Sequence, residues 1–523
     1  MKKNKSILFA ILCCGILGFS SCEKMLEENP KSTLSLGAFF KTADQAESAV
    51  NSLYRRGATQ QYSLAASAYI GPSASVNTML TGYFTNSYEG QELVSLYARQ
   101  LTRQNYVSTV SGSMNGIWDG CYQVISTANS ALKYIPGIDM SDADKNRLLA
   151  EAKFFRAYNY FYLVKTFGGV PLTLEPYESL ENLYLERTAA SEVYKVIEKD
   201  LVEAFEVLPA KTFASNAHRI SKYVVAMTLA NVYLQQGNFQ EAAKYAKVVI
   251  DSPHELTGNT DLKLESAYNK LRTTDDLNEV IYAQEYDAQV NPSGSWPTYA
   301  FNSSAVSLTD KYSIFERVFG PTNRFLNVYD KDDLRIQPNQ FFHWEYTNPN
   351  DPTKTWKSTE AGVWYFYDEE AMLNTGRGTK DFNFYRYPEA LLIAAESIAE
   401  TSGVTSEAAN YLAQVKHRAN TTGKTLAAIQ SEVSALSADK FIEECWNERL
   451  REFPLEFKMW DDIVRTRKFP VISTTEKGVI NYVDLIGAQN GSGATFKETD
   501  LLWPISIDEL QRNPSLEQNE GYK

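Results

Sequence analysis

The segment 219–251, RISKYVVAMTLANVYLQQGNFQEAAKYAKVVID, constrains the fold more than any other part of the chain. Val225, Leu229, Val232 and Tyr233 recur at helical spacing and mark one face of an amphipathic helix. Gly237 and Asn238 supply the left-handed turn that ends it. Ala242, Ala243, Ala246 and Val249 then line a second helix, and their small side chains let the two axes approach closely. Two helices alone bury too little apolar surface to be stable, so the hairpin predicts neighbours of its own kind.

Those neighbours are legible on both sides. Residues 148–166 predict a helix ending near Phe167-Gly168-Gly169, and 190–208 predict the next. Residues 385–401 and 405–419 predict another pair, and 438–467 carry a long pattern broken at Pro454. Further helices are expected near 43–56 and 118–135. Small residues on either side of a Gly-Asn turn resemble a tetratricopeptide repeat. The expected fold class is therefore mainly α, with tetratricopeptide-like hairpins forming a superhelical platform. Between about 252 and 384 the periodicity stops. Stretches such as NPSGSWPTYAFNSS and FFHWEYTNPNDPTKTWKS predict a long, irregular, loop-rich insertion containing short strands. Ordered loops on a rigid platform are where binding sites usually sit.

The N-terminus reads as an address. A basic start is followed by an apolar run from about Ile7 to Phe19, too short for a spanning helix, then Ser20, Ser21 and Cys22. This resembles a bacterial lipoprotein signal, in which cleavage before Cys22 follows attachment of lipid to its sulfur. Several acyl chains on one residue give a lasting anchor. The acidic EKMLEENP that begins just after Cys22 resembles the surface-export signal of Bacteroidetes lipoproteins. The expected division is a leader at 1–21, a lipidated tether at 22–36, a helical part at 37–251, the insertion at 252–384 and further hairpins with a closing segment at 385–523. Cys121 and Cys445 remain beyond the anchor and are expected as buried free thiols. A net charge of -13 repels phosphate backbones and argues against nucleic acid.

The residues give little to a catalyst. His218, His254, His343 and His417 do not pair at metal-ligand spacing, and no H-E-x-x-H, G-x-S-x-G or phosphate-binding loop occurs. Asp330, Asp332 and Asp333 form an acidic cluster without the Gly and terminal Glu of a calcium-binding loop. Neither a metal nor a cofactor is expected, calcium included. Binding is better supported, since aromatic residues make up 13% of the chain and Tyr can pack its ring while bonding through its hydroxyl. A pyranose offers an apolar C–H face to such rings, and neighbouring amides read its hydroxyls. Two regions have this mixture: TGYFTNSYEGQE (81–92), with Tyr83, Asn86 and Tyr88, and 289–301, with Asn291, Trp296 and Tyr299. Trp344 and Trp356 rank behind them.

The motifs also fall in an order that resembles the SusD/RagB family. AEAKFFRAYNYFYLVKTFGGVPL (150–172) is similar to its most characteristic helix and Gly-Gly-Val-Pro exit. WDGCYQVISTANSAL (118–132), YDKDDLRI (329–336), RYPEALLIAAES (386–397), NERLREF (447–453), WDDIVR (460–465) and the tail LLWPISIDELQRNPSLEQNEGY (501–522) follow the family's sequence of motifs. The likeness spans essentially the whole chain. It implies a non-enzymatic, outer-membrane, surface-exposed lipoprotein that binds oligosaccharide and delivers it to a SusC-like TonB-dependent transporter. It also implies a ligand surface built from the two loop regions, and an internal ion pair for Asp333 and Arg335. Peptide capture, as in RagB-like members, and a protein-interaction scaffold are the alternatives. One departure stands out. After Glu456 the family pattern has Gly and Arg, where this chain has Phe457 and Lys458; Lys cannot reproduce a bidentate guanidinium contact.

Overall fold

The computed structural model describes residues 39–56, 77–86, 93–177, 183–287, 289, 300–301, 303–308, 319–375 and 378–522. The helical array opens with α1 (Ala43–Arg56), α2 (Leu93–Arg99), α3 (Val107–Tyr134), α4 (Asp142–Phe167) and α5 (Ala190–Val207). The expected hairpin follows as α6 (Lys222–Gln235) and α7 (Phe239–Ile250). From α3 to α7 each helix packs on the next. Ser141 caps α4 by accepting from the Asp144 amide at 3.1 Å, and Gly168 ends the helix at φ 75°. Most side chains of α4 and α6 are buried, as befits helices covered by neighbours on nearly every face.

After the short α8 (Ala267–Thr273), the array resumes with α9 (Tyr387–Ser402), α10 (Ser406–Ala419), α11 (Leu426–Ser434), α12 (Ala438–Glu452) and α13 (Met459–Thr466); α14 (Ile507–Arg512) lies near the C-terminus. α7 packs directly on α9. The repeats that the insertion separates in sequence are thus continuous in space. α3 begins at Val107, well before the expected 118. Ser and Gly dilute its first turns, yet Val107, Val110, Met114 and Ile117 keep a buried stripe, and tertiary burial overrides weak propensity.

Among the described residues, the strands form four antiparallel two-stranded pairs. β1 (Phe84–Thr85) pairs with β3 (Gly320–Pro321), β2 (Val280–Gln284) with β6 (Phe382–Arg386), and β4 (His343–Thr347) with β5 (Thr355–Gly362). β7 (Lys468–Ile472) and β8 (Ile480–Asp484) make a hairpin that the sequence hid, since Pro470 argues against a strand. One large core runs through the helices. A second, small one (Phe301, Leu308, Trp356, Trp364, Tyr367, Met372) belongs to the insertion alone.

A buried ionic network ties array to insertion. Glu452 of α12 accepts from Arg386 (2.8 Å) and Arg418 (2.5 Å) on one oxygen, and from Arg335 (3.0 Å) and the Tyr268 hydroxyl (3.2 Å) on the other. Arg335 grips Asp333 with two bonds (2.9 and 2.7 Å) and reaches Glu448 (2.7 Å), the pair anticipated from Asp333-Leu334-Arg335. Arg386 also donates to Glu279 (2.6 Å) and Glu456 (2.8 and 2.6 Å). Burial pushes the Glu452 carboxyl up, but Arg418, Arg386 and Arg335 more than reverse this. Removing one member would strand buried charge, at a typical cost of about 3–5 kcal/mol.

The departure at 457–458 has a physical reading. Phe457 sits at φ 60°, a left-handed conformation natural for Gly and strained for a bulky side chain. Its ring offsets that strain by stacking on Phe382 (5.8 Å) and meeting Phe319 edge-on (5.0 Å). Lys458 keeps a charge pair after all, donating to Glu389 (2.6 Å) and to the Phe384 carbonyl (2.8 Å). Phe457→Gly and Phe457→Ala both lose the ring and are expected to be destabilised by about 2–4 kcal/mol. Only Ala retains the backbone strain, so urea unfolding should find the Gly variant about 1 kcal/mol more stable than the Ala variant. Equal stabilities would remove strain from the explanation.

Candidate ligand-binding face

The first aromatic-polar loop region is rooted against the insertion. β1 leads into the first loop and pairs with β3, with Phe84 opposite Pro321 and the Thr322 amide donating to the Tyr83 carbonyl at 2.8 Å. Phe84 stacks on Phe319 at 4.5 Å. The Asn490 side chain then staples both sides of the excursion, donating to the carbonyls of Leu80 (2.9 Å) and Arg99 (2.7 Å). The backbones of Gly82 and Gly491 lie so close that a Cβ on Gly491 would stand 2.5 Å from the Gly82 oxygen. Glycine is required there.

This rooting corrects one expectation. Tyr83 is fully buried: its ring stacks on Phe469 at 5.6 Å and its hydroxyl donates to the Pro470 carbonyl at 2.6 Å. It has no face left for a sugar and serves as the anchor of its loop, because the Gly82 turn and the strand that follows carry it into the core. Asn86 is buried as well. Trp344, on β4, is half-buried against the main core. Trp356 lies inside the insertion's own core, its indole N–H donating to Ser304 at 2.9 Å. Tyr88, Asn291, Trp296, Tyr299 and the anchor Cys22 lie outside the described residues.

Described residues on either side of 290–299 are held in place. On the C-terminal side, Phe301 is packed edge-on to Trp356 at 5.3 Å, and the Ala300 carbonyl accepts a short bond from His343 Nε2. Burial pushes His343 down to about 4, so the ring is neutral and Nε2 carries the proton it donates. A Cβ on Gly362 would meet the Ala300 oxygen at 2.1 Å, so that position too needs glycine. On the N-terminal side, the Tyr286 amide donates to Asp381 at 2.8 Å. Asp381 lies among Glu285, Asp275 and Lys380, and burial, then Glu285 and Asp275, push its carboxyl up to about 8.

His218 bridges Asp276 (2.9 Å) and Glu285 (3.1 Å), a group with three metal-type donors within 4.8 Å of one another among the described residues. The acidic trio is engaged locally: Asp330 accepts from the Asp332 amide (2.7 Å), Asp332 pairs with Lys331 (2.9 Å) and Asp333 with Arg335. His254 is buried beside Ser252, and burial raises the Cys121 and Cys445 thiols. These are structural assignments for the groups a catalyst would use. Asn490, His343, Gly82 and Gly362 escaped sequence reading, since their roles depend on partners far along the chain.

A helical-repeat platform with a long inserted segment is also what the comparisons with known proteins find. A family model described as starch-binding, associating with the outer membrane, matches residues 45–234, and the SusD family model matches 336–522. A SusD-like protein of Formosa agariphila is 28% identical over 493 residues, covering 89% of this chain and 91% of that one. The starch-binding protein SusD of Bacteroides thetaiotaomicron is 24% identical over 445 residues, covering 73% and 74%. Among solved structures, a SusD superfamily protein of Parabacteroides distasonis superimposes with TM-score 0.78 at 26% identity, covering 92% of this chain and 99% of that one. Surface glycan-binding protein A of Bacteroides thetaiotaomicron, in complex with laminarihexaose, shares the fold at TM-score 0.68 and 18% identity, covering 92% and 100%. The chain belongs to the SusD/RagB family.

The raised carboxyl of Asp381 gives a pH signature. A carboxylic acid whose pKa is raised by folding contributes stability at low pH and loses it as pH climbs through the folded value. The thermal midpoint is therefore expected to fall between about pH 4 and pH 8, and Asp381→Asn should flatten that decline. Scanning calorimetry across this range would reject the assignment if both proteins followed one curve.

Proposed function

We propose that this chain is a cell-surface lipoprotein that captures oligo- or polysaccharide and delivers it to a SusC-like TonB-dependent transporter. The observation that carries the reading is the pairing of β1 with β3, which roots the Tyr88 loop beside the insertion that bears Asn291, Trp296 and Tyr299. Family membership supports carbohydrate as the ligand class, and so does the laminarihexaose held by a structural neighbour. The helical platform offers the transporter a broad rigid surface. The chain acts by binding and releasing its ligand, with no bond made or broken.

Anchoring is assigned to lipid on Cys22. None of the helices among the described residues is long and apolar enough to cross a membrane. Cys22→Ala is expected to move the protein from the membrane fraction to the soluble fraction in a Bacteroidetes host, and membrane retention would remove Cys22 as the anchor.

The glycan reading is tested by native-gel retardation in a panel of polysaccharides. One polymer should retard the protein, and Trp296→Ala should weaken that interaction about 10-fold, roughly 1.4 kcal/mol. Retention of peptides with no response to any polysaccharide would transfer the chain to peptide capture.

A further inference from the structure

Beneath the insertion, between α8, β6 and the segment 365–368, lies a cleft of about 510 Å³ including its open mouth. Its walls are apolar and largely aromatic: Leu271, Phe366, Tyr367 and Phe382. Two of its lining residues also carry a buried acceptor with no hydrogen-bond partner, Asn383 Oδ1 and Glu456 Oε2, and the Tyr365 hydroxyl lies beside Asn383. Asn383 is 6% exposed and Glu456 4%. Buried polar groups are nearly always satisfied, so two unmet acceptors at one cleft call for an explanation.

The surroundings sharpen the point. Glu456 gives its other oxygen to Arg386 and leaves Oε2 without a partner. Arg272 lies in the wall, its guanidinium over the rings of Trp364 (4.9 Å) and Tyr367 (5.4 Å). It donates to the Tyr367 carbonyl at 2.9 Å and to Asn269 at 3.2 Å. Among the described residues no carboxylate stands within 4.0 Å of it, unlike Arg335, Arg386, Arg418 and Arg449. Burial pulls its pKa down. The cleft therefore combines flat apolar walls, unmet acceptors, a hydroxyl and a planar donor.

Water could satisfy the orphan atoms but would gain nothing from the aromatic walls. A pyranose uses both, with C–H faces against the rings and hydroxyls toward Asn383, Tyr365 and Glu456. We infer that this cleft is a monosaccharide subsite that seats one sugar ring. The inference rests on the reading of the chain as a glycan binder, and it adds that a single ring is recognised at the base of the insertion.

Saturation-transfer NMR on the full chain tests it, with D-glucose, D-galactose, D-mannose, N-acetyl-D-glucosamine and D-glucuronate as probes. At least one should receive saturation. Asn383→Leu should weaken that binding about 10-fold, while its melting temperature holds or rises because an unmet acceptor is gone. Phe366→Ala, at a half-buried wall position, should weaken it similarly and guards against misfolding of the first variant. Polysaccharide retention is measured in parallel. Retention without any monosaccharide signal, or a signal that both variants leave intact, overturns the subsite and leaves glycan capture standing. A monosaccharide signal lost in the variants, without polysaccharide retention, keeps the subsite and overturns capture at the loop face.

Discussion

The carboxylate of Glu452 is the point through which the two halves of this molecule are joined. Three arginines converge on it from separate elements: Arg386 at the end of β6, Arg418 in α10, and Arg335 from the insertion. None could be buried alone, since the desolvation of a single guanidinium far exceeds what one hydrogen bond returns. Each is tolerated because the others are present, with Glu279, Glu448, Glu456 and Asp333 completing the charge balance. Packing of apolar faces lets helices slide or rotate by a ridge at modest cost. Directional, charge-assisted hydrogen bonds do not, so the network sets the register of α12 against α10 and the insertion.

Register matters for the described segments that flank the two loop regions. They are fixed by distant partners: Tyr83 sunk among aromatic rings, Asn490 bonded to the carbonyls of Leu80 and Arg99, and His343 holding the Ala300 carbonyl. A ligand then need not supply the ordering of the whole insertion from its own binding energy.

Much of the helical platform could be read directly. The hairpin of α6 and α7 announced itself through Gly237, Asn238 and its alanines, and the helices around 148–166, 190–208 and 385–419 appeared within a few residues of their expected bounds. Where periodicity was diluted, as in the Ser- and Gly-rich start of α3, the reading fell short. The loops were harder for a different reason. A tyrosine in a polar stretch looks the same whether its ring faces solvent or core, and only the pairing of β1 with a strand more than 230 residues away decides for Tyr83. Asn490 and His343 were invisible for the same cause. Phe457 was the opposite case, since the residue expected there already carried the information that the backbone is left-handed.

The pairing of β2 with β6, just outside the closure of α7 on α9, brings the two ends of the insertion side by side. The chain between them leaves and re-enters by this doorway, and it is pinned to the helices again where Arg335 meets Glu448 and Glu452. Closing a loop between such fixed points costs free energy that rises only with the logarithm of its length, about 0.6 kcal/mol for each doubling. The loops between these anchors can therefore be lengthened, shortened or rewritten while the doorway and the Arg335 pairs stay in place. An ancestor built this way holds an exchangeable cassette, and its descendants can turn to new nutrients by editing that cassette alone.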